Sequence, residues 1–362
     1  MRLKKISLEE LGISPKKLEE TLIATIRCSI KSRQEIQAII DKLSQTIPED
    51  KILGPAFCIT HYTSDVKDGF DVEIGFPVSQ SIDIGEIKTR TLPKRDVLSF
   101  IHKGSVEERR EKYGTVFGFT NSHGIISDEF SREIYLDSNN PEGNEFELQF
   151  IIHDWNRLLA KNVERVLGKQ AREEIMQGSN DITLESSLDE RVDWIKGAIR
   201  RIEDLTNEIQ RYDIISGCAH FFPTTLIDKL RTVYQENLAQ TQDPLAAVDA
   251  VREFMGKSPG WPDEVPPRNG NIIISTKRPA NPEGYAKATT DAERRRAYCF
   301  CPVVRDSLEK GIPEAFCNCS SGWFRQQWEG ALGKPIPKID ILKSIVKGDD
   351  VCQFAIHLPE DL

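Results

Sequence analysis

The chain has 362 residues, with 57 acidic against 48 basic side chains and a formal net charge of −9. A hydrophobic share of 39% and a charged share of 29% suit a globular protein, and the length suits two domains. The acidic balance argues against the broad basic face that holds nucleic acid by counterion release, so no direct nucleic-acid partner is expected.

No apolar run approaches the roughly 20 residues that span a bilayer. The first residues, Met1–Leu11, carry Lys4 and Lys5 without the apolar core of a signal peptide. These features predict a cytoplasmic protein with no membrane partner.

In chain order, Leu22–Ile30 reads as a strand. Ser32–Ile47 reads as a helix with Ile36, Ile39, Ile40 and Leu43 on one face, Ser32 and Glu35 forming a capping box and Pro48 ending the pattern. Strands follow at Gly54–Tyr62 and at Phe70–Val78, where Val72 and Ile74 alternate with Asp71 and Glu73. Gly85–His102 holds two apolar stretches separated by Pro93-Lys94. Helical pattern returns after Gly104, with Ser105 ahead of Glu107 and Glu108, and Asn121–Gly124 is a turn. Arg132–Leu136 and Glu145–Ile152 are strands joined by the polar stretch 137–144. The order strand, helix, strand, strand thus occurs twice, as a repeat of elements without evident sequence identity. Two such units predict one antiparallel sheet with helices on one face and a cleft along the pseudo-twofold axis.

The motifs Leu22-Ile23-Ala24-Thr25-Ile26-Arg27, Gly54-Pro55, Asp71–Val78, Leu92-Pro93, His102-Lys103-Gly104-Ser105 and Arg132-Glu133-Ile134-Tyr135-Leu136 follow one another in an order that resembles the GyrI-like (gyrase-inhibitor-like) fold. That fold is also the effector-binding domain of multidrug-responsive regulators. The resemblance covers about residues 17–155. It implies a cavity for flat, often cationic, amphipathic molecules, with a buried acid and aromatic walls as contacts. Glu133 and Tyr135 are two apart on a strand and so share a face, which makes them the leading ligand residues, with His61 and Tyr62 from the first repeat as further ones. A carboxylate poorly solvated in an apolar pocket gains much from an organic cation, and aromatic faces add to that attraction. Regulators of this kind carry a DNA-binding segment. Only about 16 residues precede the fold here, so the expectation is a small-molecule binding or sensing protein without its own DNA-binding module. The alternative implied by the resemblance is a hydrolase of strained-ring or heterocyclic compounds, using the cavity glutamate or a metal or thiol site.

After Trp155 the pattern becomes helical: 156–178, the strongly amphipathic 190–212, 223–238 and 244–255. Residues 257–282 are rich in Pro and Gly around the short run Ile272–Ile274, and Thr290 with Glu293 forms a second capping box. Pro337–Val346 and Val351–Leu358 predict a terminal β-hairpin. Six of the eight cysteines lie beyond residue 217, in the doublets Cys299-Phe300-Cys301 and Cys317-Asn318-Cys319, in Cys218-Ala219-His220 and at Cys352. In a reducing compartment such clustering points to metal or thiol chemistry. Cys299, Cys301, Cys317 and Cys319 are the expected ligands of a zinc ion, with Cys218, His220 and Cys352 as further donors; Cys218 beside His220 is the expected pair for a nucleophile.

The segment Cys299–Leu358 resembles the cysteine-containing ends of 4-vinyl-reductase-like and aminothiazoline-carboxylate-hydrolase-like domains, on the strength of Gly348-Asp349-Asp350-Val351-Cys352-Gln353-Phe354. This implies small-molecule binding and assigns no residue roles. The expected fold class is α+β, in three parts. Residues 1–16 are a lead-in. Residues 17–157 form a duplicated β-α-β-β GyrI-like domain. Residues 158–362 form a mainly helical cysteine-rich domain with a C-terminal hairpin.

Overall fold

The computed structural model describes residues 8–61, 69–104, 106–125, 127–136, 145–220, 222, 224–257 and 265–362. Tyr62, Ser105 and the polar stretch 137–144 lie outside the described residues. The chain divides into two compact units, one of residues 1–121 and 126–153, the other of residues 122–125 and 154–362. Among the described residues no helix is long and apolar enough to cross a membrane.

The first unit runs β1 (Ser14–Leu18), β2 (Thr21–Ile30), α1 (Glu35–Thr46), β3 (Phe57–His61), β4 (Phe70–Pro77), β5 (Lys88–Leu92), β6 (Arg95–Lys103), α2 (Val106–Ser122), β7 (Ser127–Tyr135) and β8 (Glu145–Ile152). Its strands form one curled antiparallel sheet in the order β1-β6-β8-β7-β3-β4-β2-β5. The doubled β-α-β-β order is therefore present as β2-α1-β3-β4 and β6-α2-β7-β8, and the repeats meet where β3 pairs with β7. One edge strand, β1, was absent from the sequence reading, whereas β5 is the first of the two stretches read in Gly85–His102. The strand preceding each repeat crosses to the edge of the other: β1 pairs with β6, and β5 with β2. The β1 sequence, Ser-Pro-Lys-Lys-Leu, carries the proline and lysines that suit an edge and no apolar alternation.

Register assigns the faces, because cross-strand partners point the same way. One row runs Ile26, Ile74, Cys58, Glu133, Leu148, Phe100 across six strands, apolar except for the glutamate. The adjoining row on the opposite face is mostly polar: Arg27, Glu73, Ile59, Arg132, Gln149, Ser99. That face keeps an apolar floor of Ile23, Phe57, Ile59 and Leu92, with Ile134 packed against it.

The second unit runs α3 (Trp155–Leu167), α4 (Lys169–Ile175), α5 (Leu188–Leu205), α6 (Glu208–Ser216), α7 (Thr224–Thr241), α8 (Pro244–Lys257), β9 (Arg268–Asn269), β10 (Ile272–Thr276), α9 (Pro282–Lys287), α10 (Asp291–Tyr298), α11 (Pro302–Arg305), α12 (Asn318–Leu332), β11 (Lys338–Lys343) and β12 (Gln353–His357). The expected terminal hairpin is there as β11 and β12, but β12 also pairs with β10, making a four-stranded sheet β11-β12-β10-β9. The row Ile273, Ile356, Ile339 is buried and ties the short isoleucine run to the hairpin.

Three helix readings change. The pattern 190–212 breaks at Thr206-Asn207, because Asn207 and Gln210 form a reciprocal capping box that starts α6. Leu205 and Ile209, which continue the apolar spacing of Val192, Ile195, Ile199 and Ile202, are consequently exposed. The pattern 156–178 breaks at Gly168, whose φ of +86° only glycine adopts cheaply. The first helix starts at Glu35, not after Ser32; the Glu35 carboxylate still accepts from the N–H groups of Lys31 and Ser32 at 2.8 and 2.9 Å. The Thr290–Glu293 box forms as expected.

The duplication also repeats its chemistry. On the face opposite Glu133, the Glu73 carboxylate accepts from Arg90 through both oxygens (2.7 and 2.5 Å), from Thr25 (2.9 Å), and lies 3.2 Å from His61. Its counterpart Glu147 accepts from Lys16 (2.9 Å) and Ser99 (2.6 Å). Lys16 and Arg90, Thr25 and Ser99, and Glu73 and Glu147 are each 74 residues apart, and each cation comes from the exchanged edge strand. Burial works to raise the Glu73 pKa, but hydrogen bonds from His61, Arg90 and Thr25 outweigh it and bring it to about 2. A carboxyl depressed from 4.5 stabilises the fold fully above pH 4.5, and that stability is lost as pH falls through about 2, for a total on the order of 3 kcal/mol. Urea midpoints between pH 4.5 and pH 2 are expected to fall more steeply in the wild type than in Glu73→Gln. Parallel curves would refute the assignment.

Candidate functional site

Glu133 is 1% exposed, at the centre of the apolar row where the repeats meet. A lone carboxylate there would be severely undersolvated. Arg33, in the turn before α1, answers it: its Nη1 donates to both carboxylate oxygens at 2.7 and 2.6 Å. The Tyr113 hydroxyl, from α2, donates to Oε1 at 2.9 Å, and the Tyr135 hydroxyl reaches Oε2 at 3.4 Å. Burial lowers the Arg33 pKa, but the charge of Glu133 outweighs it and raises the pKa above the ordinary arginine value. The cross-strand neighbour Cys58 is pushed up to about 12, first by burial and then by Glu133, so it stays a neutral thiol.

Aromatic side chains wall this cradle. The Tyr113 and Phe117 rings meet Phe150 edge-on at 5.2 and 5.3 Å, and the Arg33 guanidinium lies 5.7 Å from the Phe70 ring centre. Tyr135 is buried, Tyr113 half-buried and Phe117 exposed, so the walls grade from core to solvent. Arg33 itself is about one third exposed (34%), so its guanidinium is the member of the cluster with access to water. The arrangement is a cation-holding carboxylate with aromatic walls, occupied by a cation of the protein's own chain.

Of the sequence-derived ligand residues, Glu133 and Tyr135 come together as alternation requires. His61 does not join them: it lies on the opposite face with Glu73. Arg33 and Tyr113 were missed. Arg33 is 100 residues from Glu133 in a short polar turn, and Tyr113 sits in a charged helical run, so no local pattern links either to the strand.

In the second unit all six cysteines after residue 217 are free thiols. Cys301, Cys317 and Cys352 lie close enough to raise the pKa of Cys299, Cys301 and Cys352 that of Cys317, and Cys301 and Cys317 that of Cys319. The doublets therefore converge, together with Cys352. Among the described residues, however, no three of His, Cys, Asp or Glu are arranged to hold a metal ion. Cys218 is fully buried in the core, where it donates to the Ile214 carbonyl at 3.4 Å and burial holds its pKa well above normal. That environment is the reverse of one that activates a nucleophile. Trp328 is a core residue, and Trp323 packs on Phe222 with ring centres 4.8 Å apart.

Residues 13–150 match the family model of the GyrI-like small molecule binding domain. Among solved structures, the C-terminal domain of EcmrR is 21% identical, covering 39% of this chain and 96% of that one with a TM-score of 0.34. The full EcmrR chain, in a complex with DNA, is 20% identical, and 56% of its length is covered (39% of this chain, TM-score 0.34). SAV2435 bound to tetraphenylphosphonium is 14% identical, covering 39% and 93% with a TM-score of 0.29. No curated protein matches.

Breaking a buried pair by removing one partner is costly, whereas removing both is much less so. A urea-unfolding double-mutant cycle of Arg33→Met and Glu133→Gln is expected to give a coupling of about 2 kcal/mol. Additive losses would show that the pair is not energetically linked.

Proposed function

We propose that the GyrI-like unit binds an amphipathic organic cation whose charged group takes the place of the Arg33 guanidinium against Glu133. The observation that carries this reading is the Arg33–Glu133 pair itself. The carboxylate is too deeply buried to be left uncompensated, while its cation is partly solvated and tethered by a turn. A ligand cation can therefore enter as Arg33 swings out, with Tyr113, Phe117 and Phe150 supplying flat apolar contact. Exchange makes the apparent affinity the intrinsic one reduced by the fraction of molecules with Arg33 displaced. Such a site suits sensing or sequestration, and the free thiols support a reducing, cytoplasmic setting.

Calorimetric titration with tetraphenylphosphonium tests this. Glu133→Gln is expected to weaken binding at least ~10-fold, the loss of one charge–charge contact in a desolvated site. Arg33→Gln is expected to strengthen it severalfold by removing the internal competitor. Unchanged affinity in Glu133→Gln, or weaker affinity in Arg33→Gln, would sink the exchange mechanism.

A further inference from the structure

The second unit contains the converse arrangement: an ammonium group with no acid beside it among the described residues. Lys277 follows β10 and is fixed by its backbone, its N–H donating to the Cys352 carbonyl at 3.0 Å and its own carbonyl accepting from the Tyr298 hydroxyl. Its Nζ donates to Ser320 Oγ at 3.0 Å and lies 5.7, 5.8 and 5.7 Å from the ring centres of Phe300, Phe324 and Phe354. These contacts draw all three cysteine segments around one point. Phe300 separates Cys299 from Cys301, Ser320 follows Cys319, and Cys352 is bonded through its backbone.

Two features make this point a recess and not a sealed core. Lys277, Cys301, Cys317, Cys319, Ser320 and Cys352 are half-buried, with Phe300 exposed at 47%. Yet burial raises the pKa of every one of these thiols, to about 12 for Cys317 and Cys319. Solvent reaches the groups but surrounds none of them. Among the described residues no carboxylate lies within ion-pairing distance of Nζ, and Ser320 takes only one of its three hydrogens. Phenyl faces attract a cation but do not neutralise it.

We infer that the Lys277 recess is a second small-molecule site, which binds the anionic head of a compact acid with an apolar body. Nζ and Ser320 Oγ receive the head, and Phe300, Phe324 and Phe354 contact the body. The cysteine side chains contribute polarisable walls. The site is independent of Glu133, whose preference is for the opposite charge.

The test is calorimetry of the full chain with phenylacetate, phenylphosphonate and the neutral analogue 2-phenylacetamide. At least one anion is expected to bind at least ~10-fold more tightly than the amide, and which one binds better distinguishes a carboxylate from a phosphate head. Lys277→Met is expected to abolish that preference, and Lys277→Arg to keep it, which separates loss of charge from loss of folding. The inference is overturned if neither anion binds at millimolar concentration, if the amide binds equally, or if Lys277→Met binds like the wild type. Stoichiometric zinc in protein purified without chelator would also overturn it, because ligating thiolates would then supply the missing counter-charge.

Discussion

Burying one carboxylate at the junction of two repeats is the constraint around which the first unit is organised. The β3–β7 pairing sets Glu133 opposite Cys58, in a row otherwise made of Ile, Leu and Phe. An ion so placed loses most of its hydration, and only close, hydrogen-bonded partners restore it. The chain recruits them from three elements: Arg33 before α1, Tyr113 on α2 and Tyr135 on β7. The cost of burying Glu133 is thereby turned into a fixed geometry for both helices relative to the sheet.

The opposite face solves a milder version of the same problem twice. Glu73 and Glu147 each pair with a hydroxyl from the first strand of their repeat and with a cation from an exchanged edge strand. Because those cations come from β5 and β1, each ion pair also fastens an edge strand to the repeat it joins. Glu133 and Cys58 break the symmetry: equivalent in the two repeats and paired across the axis, one is a charge and the other a neutral thiol. Two glutamates there would repel each other in a dry site. A duplicated fold can hold one charge on its axis more easily than two.

The second unit places the opposite charge under a similar restriction. Lys277 is positioned by backbone bonds at both of its ends and by phenyl rings, without an acid among the described residues. Close helix packing brings this about. Gly322 lies against the Ser216 carbonyl, where a Cβ would collide, so that α12 approaches α6 and carries the Cys317–Cys319 doublet inward.

By itself the sequence determined the doubled strand-helix-strand-strand order, the capping box at Thr290, the clustering of cysteines along the chain, and the shared face of Glu133 and Tyr135. These follow from local periodicity and capping, which operate over a few residues. It did not determine which face that was, since a one-residue change of register turns a whole strand over. Hence His61, plausible beside Glu133 from the sequence, lies with Glu73 on the other side. Nor did it give the partners. Arg33 is 100 residues from Glu133, Arg90 is 17 from Glu73, and Lys277 is 43 from Ser320. Such contacts arise when strands and helices with independent patterns pack together, and no local rule connects their members. The same holds for β12, whose pairing with β10 turned a terminal hairpin into a four-stranded sheet. The sequence supplied the charged and aromatic groups, and only the tertiary structure decided which charge meets which, because burial, and with it the need for a partner, exists only in the folded chain.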